Sequence, residues 1–328
     1  MKLLRDKYRR TIDYMRVSIT DRCNVRCVYC MPREGVASAP HDEILTYDEI
    51  LRVCSAAAQL GVRKIKLTGG EPLVRKNMPM LVKKIKAIPV IEEVTLTTNG
   101  ILLDEYLETL VQHGIDGINI SLDTMNRKLY QEITRFDGLN QVLNNINRAI
   151  SYDNLVIKVN CVPVNWSNQD FVELASLAKE SAIHVRFIEM MPLGYGKGFQ
   201  YVSEKDIKQQ ISEKYGHLIP SQERLGNGPS QYYEVPGFRG KIGFISAMSH
   251  QFCHRCNRIR LTSQGRLKTC LQYETGTDLK VLLRENASEE ALIHVMQASI
   301  LEKPREHGFS GGQVTAKREL HEMVRIGG

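Results

Sequence analysis

The 328-residue sequence has no apolar run approaching the 18 or more residues that a membrane-spanning helix needs. Its opening residues, Met1-Lys-Leu-Leu-Arg-Asp-Lys7, lack the apolar stretch of a secretory signal. Their basic character would suit a transit peptide, but a strand pattern begins near Tyr14 and leaves little room for a leader. The expectation is a cytoplasmic protein with no membrane partner. A disulfide framework is also missing: of eight cysteines, six fall into two triplets, and Cys54 and Cys161 stand alone. Charge of one sign is not abundant either. A net charge of +7 suits an anionic small ligand or a weak nucleic-acid contact equally and excludes neither. What remains, with 42% hydrophobic residues, is a chain able to bury a full core as one large domain plus a smaller one.

Cys23, Cys27 and Cys30 form a Cys-x3-Cys-x2-Cys run just after the strand-like Met15-Arg-Val-Ser-Ile-Thr20. Three soft thiolates at this spacing suit an iron–sulfur cluster or zinc. Structural zinc wants four protein ligands, and no fourth Cys or His follows within ten residues. A [4Fe-4S] cube held by three cysteines leaves one iron free to bind a small molecule. A zinc knuckle, or three free thiols, is the plainer alternative.

From Tyr14 to about Met190, short β-branched runs at 14–20, 64–68, 93–98, 117–122, 156–162 and 184–190 alternate with helical patterns such as 46–60, 102–113, 137–152 and 167–180. Each gap allows a right-handed crossover, so the pattern predicts a parallel βα array. Six units fall short of the eight of a closed TIM barrel. The fold class is therefore α/β: a partial (βα)6 TIM-like barrel over residues 1–192, with a smaller α+β domain over 193–328.

One parity of these strands is polar: Arg16, Ser18 and Thr20; Lys64, Lys66 and Thr68; Thr95, Thr97 and Asn99; Asn119, Ser121 and Asp123; Lys158 and Asn160; Arg186. The other parity is apolar, as in Val17, Ile19, Ile65, Leu67, Ile118, Ile120, Ile157 and Val159. Side chains alternate across a strand, so the greasy face carries the helices and the polar face lines a concave lumen for a polar, anionic occupant. Cys161 falls on the greasy parity and Cys54 in a helical pattern, and both read as packed core thiols.

Beyond Leu193, glycines at 194, 196 and 198 and Gly226-Asn-Gly-Pro229 mark loops, followed by hairpin candidates 231–235/241–247 and 258–262/266–270. Helical segments near 277–285 and 288–302 follow. Cys253-x2-Cys256 and Cys270 form the second triplet. With Gly265 at the hairpin turn, Cys270 returns opposite Arg258 or Ile259, within reach of Cys256. Zinc stays open here, since His250 or His254 would complete a Cys3His site. Arg258 and Arg260 share a strand face beside the triplet. They are either two solvated arginines or a phosphate-binding pair, whose forks match phosphate oxygens.

Several motifs together resemble one family. They are Thr20-Asp-Arg-Cys-Asn-x-Arg-Cys-x-Tyr-Cys-Met-Pro32, Thr68-Gly-Gly-Glu-Pro-Leu73, Thr97-Thr-Asn-Gly100, Asn119-Ile-Ser-Leu-Asp123, Arg186-Phe-Ile-Glu-Met-Met191, Phe252-Cys-x-x-Cys-Asn-Arg-Ile-Arg-Leu261 and Ile326-Gly-Gly328. The chain is similar, over nearly its whole length, to the MoaA family of radical S-adenosylmethionine (SAM) enzymes, the GTP 3′,8-cyclases of molybdenum cofactor biosynthesis.

The resemblance implies that Cys23, Cys27 and Cys30 hold one [4Fe-4S] cluster whose open iron is chelated by SAM, with Tyr29, Gly70, Ser121 and Met191 as SAM contacts. It implies a second [4Fe-4S] cluster on Cys253, Cys256 and Cys270 facing the guanine of GTP. Arg16, Lys66, Thr97, Lys158, Arg258 and Arg260 would hold the nucleotide. The implied reaction is cleavage of SAM to a 5′-deoxyadenosyl radical, abstraction of the ribose 3′ hydrogen and closure onto C8, giving (8S)-3′,8-cyclo-7,8-dihydro-GTP. The implied partners are GTP, a protein reductant and a downstream cyclic pyranopterin monophosphate synthase, with no nucleic acid and with a homodimer left open. Lys66 departs from the arginine that relatives often carry, which keeps charge but loses fork geometry. The family also suggests that Gly327 and Gly328 thread into the active site. Two rival readings are a radical SAM peptide-modifying enzyme with an auxiliary cluster and a zinc-stabilised nucleic-acid-binding protein.

Overall fold

The computed structural model describes residues 4–166, 169–200, 202–223, 225–309 and 317–327. Six strands form where the alternation predicts them: β1 (Tyr14–Ser18), β2 (Lys64–Thr68), β3 (Glu93–Thr98), β4 (Gly117–Ser121), β5 (Val156–Cys161) and β6 (His184–Ile188). They pair in sequence order and in parallel. Helices fill the crossovers. The one between β1 and β2, Tyr47–Gln59, starts on a capping box in which Thr46 and Glu49 each accept the other's backbone N–H. The apolar parity lies against these helices: Val17, Ile19, Ile65, Leu67, Ile118, Ile120, Ile157 and Val159 belong to one buried core. Cys54 and Cys161 lie in the same core.

The later strands are β7 (Ile219–Pro220), β8 (Gln231–Glu234), β9 (Ile242–Ile245), β10 (Arg258–Leu261), β11 (Arg266–Lys268) and β12 (Thr277–Asp278). Both expected hairpins are present, β8 with β9 and β10 with β11. Each also does something the pattern did not announce. β9 adds in parallel to the β6 edge, and β10 adds in parallel to the β1 edge. The result is one twelve-stranded sheet whose central run, β10-β1-β2-β3-β4-β5-β6-β9, is parallel throughout. The partial barrel is thus extended at both edges by strands from the C-terminal part. A helix at Glu204–Tyr215, capped by Ser203, packs between β6 and β7 in chain order. Only Ile207 and Ile211 of it are buried, so its apolar stripe is too thin to stand out in the sequence.

Candidate active site

The concave face of the sheet encloses a cavity of about 870 Å³. Of the polar-parity side chains, Arg16, Lys64, Lys66, Thr68, Thr95, Thr97, Asn99, Asn119, Ser121, Asp123, Lys158, Asn160 and Arg186 line it. All six triplet cysteines border it, as do Tyr29, Gly70, Met191, Arg258 and Arg260. The residues that the resemblance assigns to the clusters, SAM and GTP therefore meet in one lumen, whereas Ser18, Thr20, His250 and His254 do not line it.

The topology sets the two triplets apart. Cys23, Cys27 and Cys30 follow the C-terminal end of β1. Tyr14 on β1 pairs with Arg258 on β10, so Cys256 lies just before the N-terminal end of the parallel run. Arg260 pairs with Lys268 across the antiparallel hairpin, and continuing that register sets Cys270 opposite Arg258 at the same end. The triplets flank opposite mouths of the lumen, separated by about a strand length, on the order of 15 Å.

At the first mouth two loops lie flush. Gly70 N–H donates to Thr20 O at 2.8 Å and Glu71 N–H to Arg22 O at 2.8 Å. A Cβ on Gly70 would sit 2.2 Å from Arg22 O, so this position needs glycine for contact with the cysteine loop as well as for any ligand. Glu71, fully buried, accepts from Thr98 Oγ1, Asn99 N and Leu73 N at 2.8, 2.6 and 3.0 Å. Burial pushes its carboxyl up to about 7 against those bonds. Asn99 in turn donates to Asn24 Oδ1 at 2.7 Å, fixing the loop between Cys23 and Cys27. Tyr29 donates to Asp123 Oδ2 at 2.6 Å. Burial lifts Asp123 to about 6, with Tyr29 and the Val162 N–H opposing. Burial also raises the thiols, Cys23 to about 11 and Cys30 to about 12, with Cys27 well above its usual range. An apo loop would hold them protonated, and a bound metal centre would displace those protons.

The second mouth is electrostatically different. Burial pushes the Cys256 thiol up, but Arg258 and Lys303 outweigh it and bring the group down to about 6. Cys253 is raised by burial while the backbone N–H of His307 opposes the shift. Among the described residues no three His, Cys, Asp or Glu groups converge tightly enough for a single metal ion. His250 faces Glu204 at 3.5 Å, and neither it nor His254 lines the lumen, so the Cys3His zinc arrangement is not built here. Three sulfurs bordering one cavity suit a cluster, whose irons each take a separate thiolate.

Between the mouths lies a belt of cations. Arg260, Arg16 and Lys66 stand side by side in register on adjacent strands. Burial, then Arg186, Arg16 and Lys158, drives Lys66 well below its usual range. Burial and then Arg186 bring Lys158 to about 8. Burial and then Arg16 and Arg258 depress Arg260. Like charges on neighbouring strand positions repel, and an anion in the lumen relieves them. Arg258 stacks over Phe252 at 4.9 Å. Arg260 Nη1 donates to Gly327 O at 2.6 Å. Gly327, at φ 77°, lies against Ser18 and Thr68, while Gly328 falls outside the described residues.

Sequence reasoning gave no individual role to four participants, Arg186, Asn99, Asp123 and Glu71. Arg186 is buried and donates to Asn160 Oδ1 and Asn119 Oδ1, both neutral acceptors. Its place on the polar parity was the available signal, as it was for Asn99 and Asp123. Glu71 sits in a loop, where parity gives no guidance.

Comparison with known proteins agrees with this geometry. The Radical SAM superfamily model matches residues 17–178 and the Molybdenum Cofactor Synthesis C model residues 183–309. A GTP 3′,8-cyclase of Clostridium perfringens is 43% identical over 326 residues, covering 99% of this chain and 100% of that protein. One from Desulforamulus reducens is 42% identical, covering 98% and 99%. Among solved structures, Streptococcus suis SuiB bound to S-adenosylmethionine superposes with a TM-score of 0.62 at 15% identity, covering 95% of this chain and 76% of that one, a likeness of fold. The family uses SAM and iron–sulfur clusters, which the two triplets fit. The chain belongs to the GTP 3′,8-cyclase family of radical SAM enzymes.

Proposed function

We infer that this protein converts GTP to (8S)-3′,8-cyclo-7,8-dihydro-GTP, the first step of molybdenum cofactor biosynthesis. The observation that carries the reading is one lumen with a three-cysteine loop at each mouth and a cationic belt between them. Cys23, Cys27 and Cys30 would hold a [4Fe-4S] cluster, which when reduced would supply the single electron for cleavage of SAM.

The chain's own part is placement. Tyr29, Gly70, Ser121 and Met191 would hold SAM at the first mouth. Arg16, Lys66, Thr97, Lys158, Arg258 and Arg260 would hold GTP, with its phosphates on the cationic belt and its base toward Cys253, Cys256 and Cys270. Arg186, fixed by Asn119 and Asn160, adds charge to that belt. Holding both reactants in one walled cavity aligns the ribose with the radical and keeps water away from it. In this reading residues 1–192 form the radical SAM partial barrel, which also lends Arg16, Lys66, Thr97 and Lys158 to GTP, and 193–328 the domain of the second cluster and of Arg258 and Arg260, supported by family matches that meet near residue 180. A protein reductant and a downstream cyclic pyranopterin monophosphate synthase complete the scheme, and a homodimer is compatible with it. Cytoplasmic placement suits eight unpaired thiols and a nucleotide substrate.

The test is anaerobic turnover of the reconstituted protein with dithionite and SAM, with and without GTP, following 5′-deoxyadenosine and the guanine product by mass-detected chromatography. GTP-dependent release with an isomer of GTP as product is expected. Release indifferent to GTP reassigns the substrate, and zinc in place of iron with no release overturns the reading.

A further inference from the structure

The second cysteine mouth is braced by two buried cations, Arg10 and Lys303. Arg10, paired with Asp6 at 2.5 Å, donates to Cys253 O at 2.8 Å and to the carbonyls of Pro304 and Arg305. Asp6 neutralises its charge. Lys303 is different: it is 2% exposed, and among the described residues no carboxylate pairs with it. Its Nζ donates to Arg258 O at 2.8 Å and to Thr269 O. Those carbonyls lie two residues after Cys256 and one before Cys270. The β10–β11 ladder ends at Arg260 and Lys268, so Lys303 bonds the two strands where ladder pairing has stopped. Lys303 borders the lumen together with Cys256, Cys270 and Arg258. A lysine buried at this cost needs a lasting negative partner, and a thiolate-bound cluster at the mouth is one.

Resting on the two-cluster reading above, we propose that Lys303 is a positioning residue of the second centre: it staples the Cys256 and Cys270 segments together and supplies the counter-charge that sets the centre's reduction potential. A fixed positive charge beside a cluster favours the reduced state, which carries one more negative charge, and so raises the potential. Arg258, lining the lumen and stacked on Phe252, remains available to substrate; Lys303 also borders the lumen, but two of its three N–H donors are engaged by backbone carbonyls.

The experiment is a potentiometric titration followed by electron paramagnetic resonance, with iron content, on full-length reconstituted protein without GTP. Wild type is compared with Lys303→Gln, which keeps donors but no charge, Lys303→Arg, which keeps both, and Lys303→Met, which keeps neither. The first centre's signal is the internal control. Lys303→Gln is expected to shift the second centre's reduction equilibrium at least tenfold toward the oxidised form, about 59 mV for one electron. Lys303→Arg should stay near wild type, and Lys303→Met should lose second-centre iron or shift as far as the glutamine variant. Unchanged potential and iron in both the glutamine and methionine variants overturns the proposal, as does loss of the centre in the arginine variant. Wild-type protein holding iron for a single cube sinks the two-cluster reading itself, an outcome distinct from either.

Discussion

Lys158 carries its charge on a short leash. Burial and Arg186 bring it to about 8 from 10.5. Between those values the folded state binds fewer protons than the unfolded one, so stability rises with pH across that window, and below pH 8 the buried charge costs its full penalty. A polyphosphate in the lumen favours the charged form and restores the proton. At pH 8.5, GTP binding should therefore take up a substantial fraction of one proton, and affinity should fall as pH climbs further. Calorimetry in buffers of different ionisation heat measures this; a Lys158→Met protein that takes up as many protons as wild type would clear Lys158 of the role. The arginine pair is tested more directly. Arg258→Ala or Arg260→Ala should each weaken GTP binding roughly 10- to 100-fold, the value of one or two charged hydrogen bonds, while reductant-driven SAM cleavage survives. For Arg260 the readout has a second strand, because it already holds Gly327 O. Equal GTP affinity in both variants would mark the pair as structural.

At the scale of elements, the sequence shows its period-2 alternation plainly because each parallel strand has one helix-facing and one lumen-facing side. That is why Arg16, Lys66, Thr97, Lys158 and Ser121 could be placed in the lumen from parity alone, and why Cys161 could be taken out of it. The joining of β9 and β10 to the barrel edges was hidden, since a four-residue strand carries no mark of which neighbour it will meet. The Glu71–Asn99–Asn24 chain was hidden too, because it links three loops distant in sequence. The resemblance implies Gly70 as a SAM contact, and the structure adds that the cysteine loop's own backbone already fills the space beside it. Gly70→Ala should thus force Arg22 aside, costing about 1–3 kcal/mol as overpacking does, and disturb the loop that positions Cys23. Iron analysis and a thermal melt report on this. The expected result is a lower Tm with the first centre depleted and the second retained; a variant with wild-type iron and Tm would show that the loop yields without consequence.

For the molecule as a whole, the decisive property is that the two mouths are held by different parts of one sheet. The first triplet hangs on the β1 and β2 loops, and the second on the β10–β11 hairpin braced by Lys303 and Arg10. They share the strand pair β1–β10, in which Arg16 stands opposite Arg260 midway between them. Loss of either centre should leave the other's cradle standing, because neither loop hydrogen-bonds to the other among the described residues and the core packs on the opposite face. Cys23→Ala should then abolish 5′-deoxyadenosine formation while the second centre still loads and GTP still binds. Cys270→Ala should keep reductant-driven SAM cleavage but uncouple it from GTP, so that 5′-deoxyadenosine forms without the cyclised nucleotide. Such uncoupling follows if the first mouth generates the radical and the second only presents the substrate. If Cys270→Ala stopped SAM cleavage as completely as Cys23→Ala, the mouths would be acting as one electronic unit, and the division of labour drawn from the sheet would be wrong.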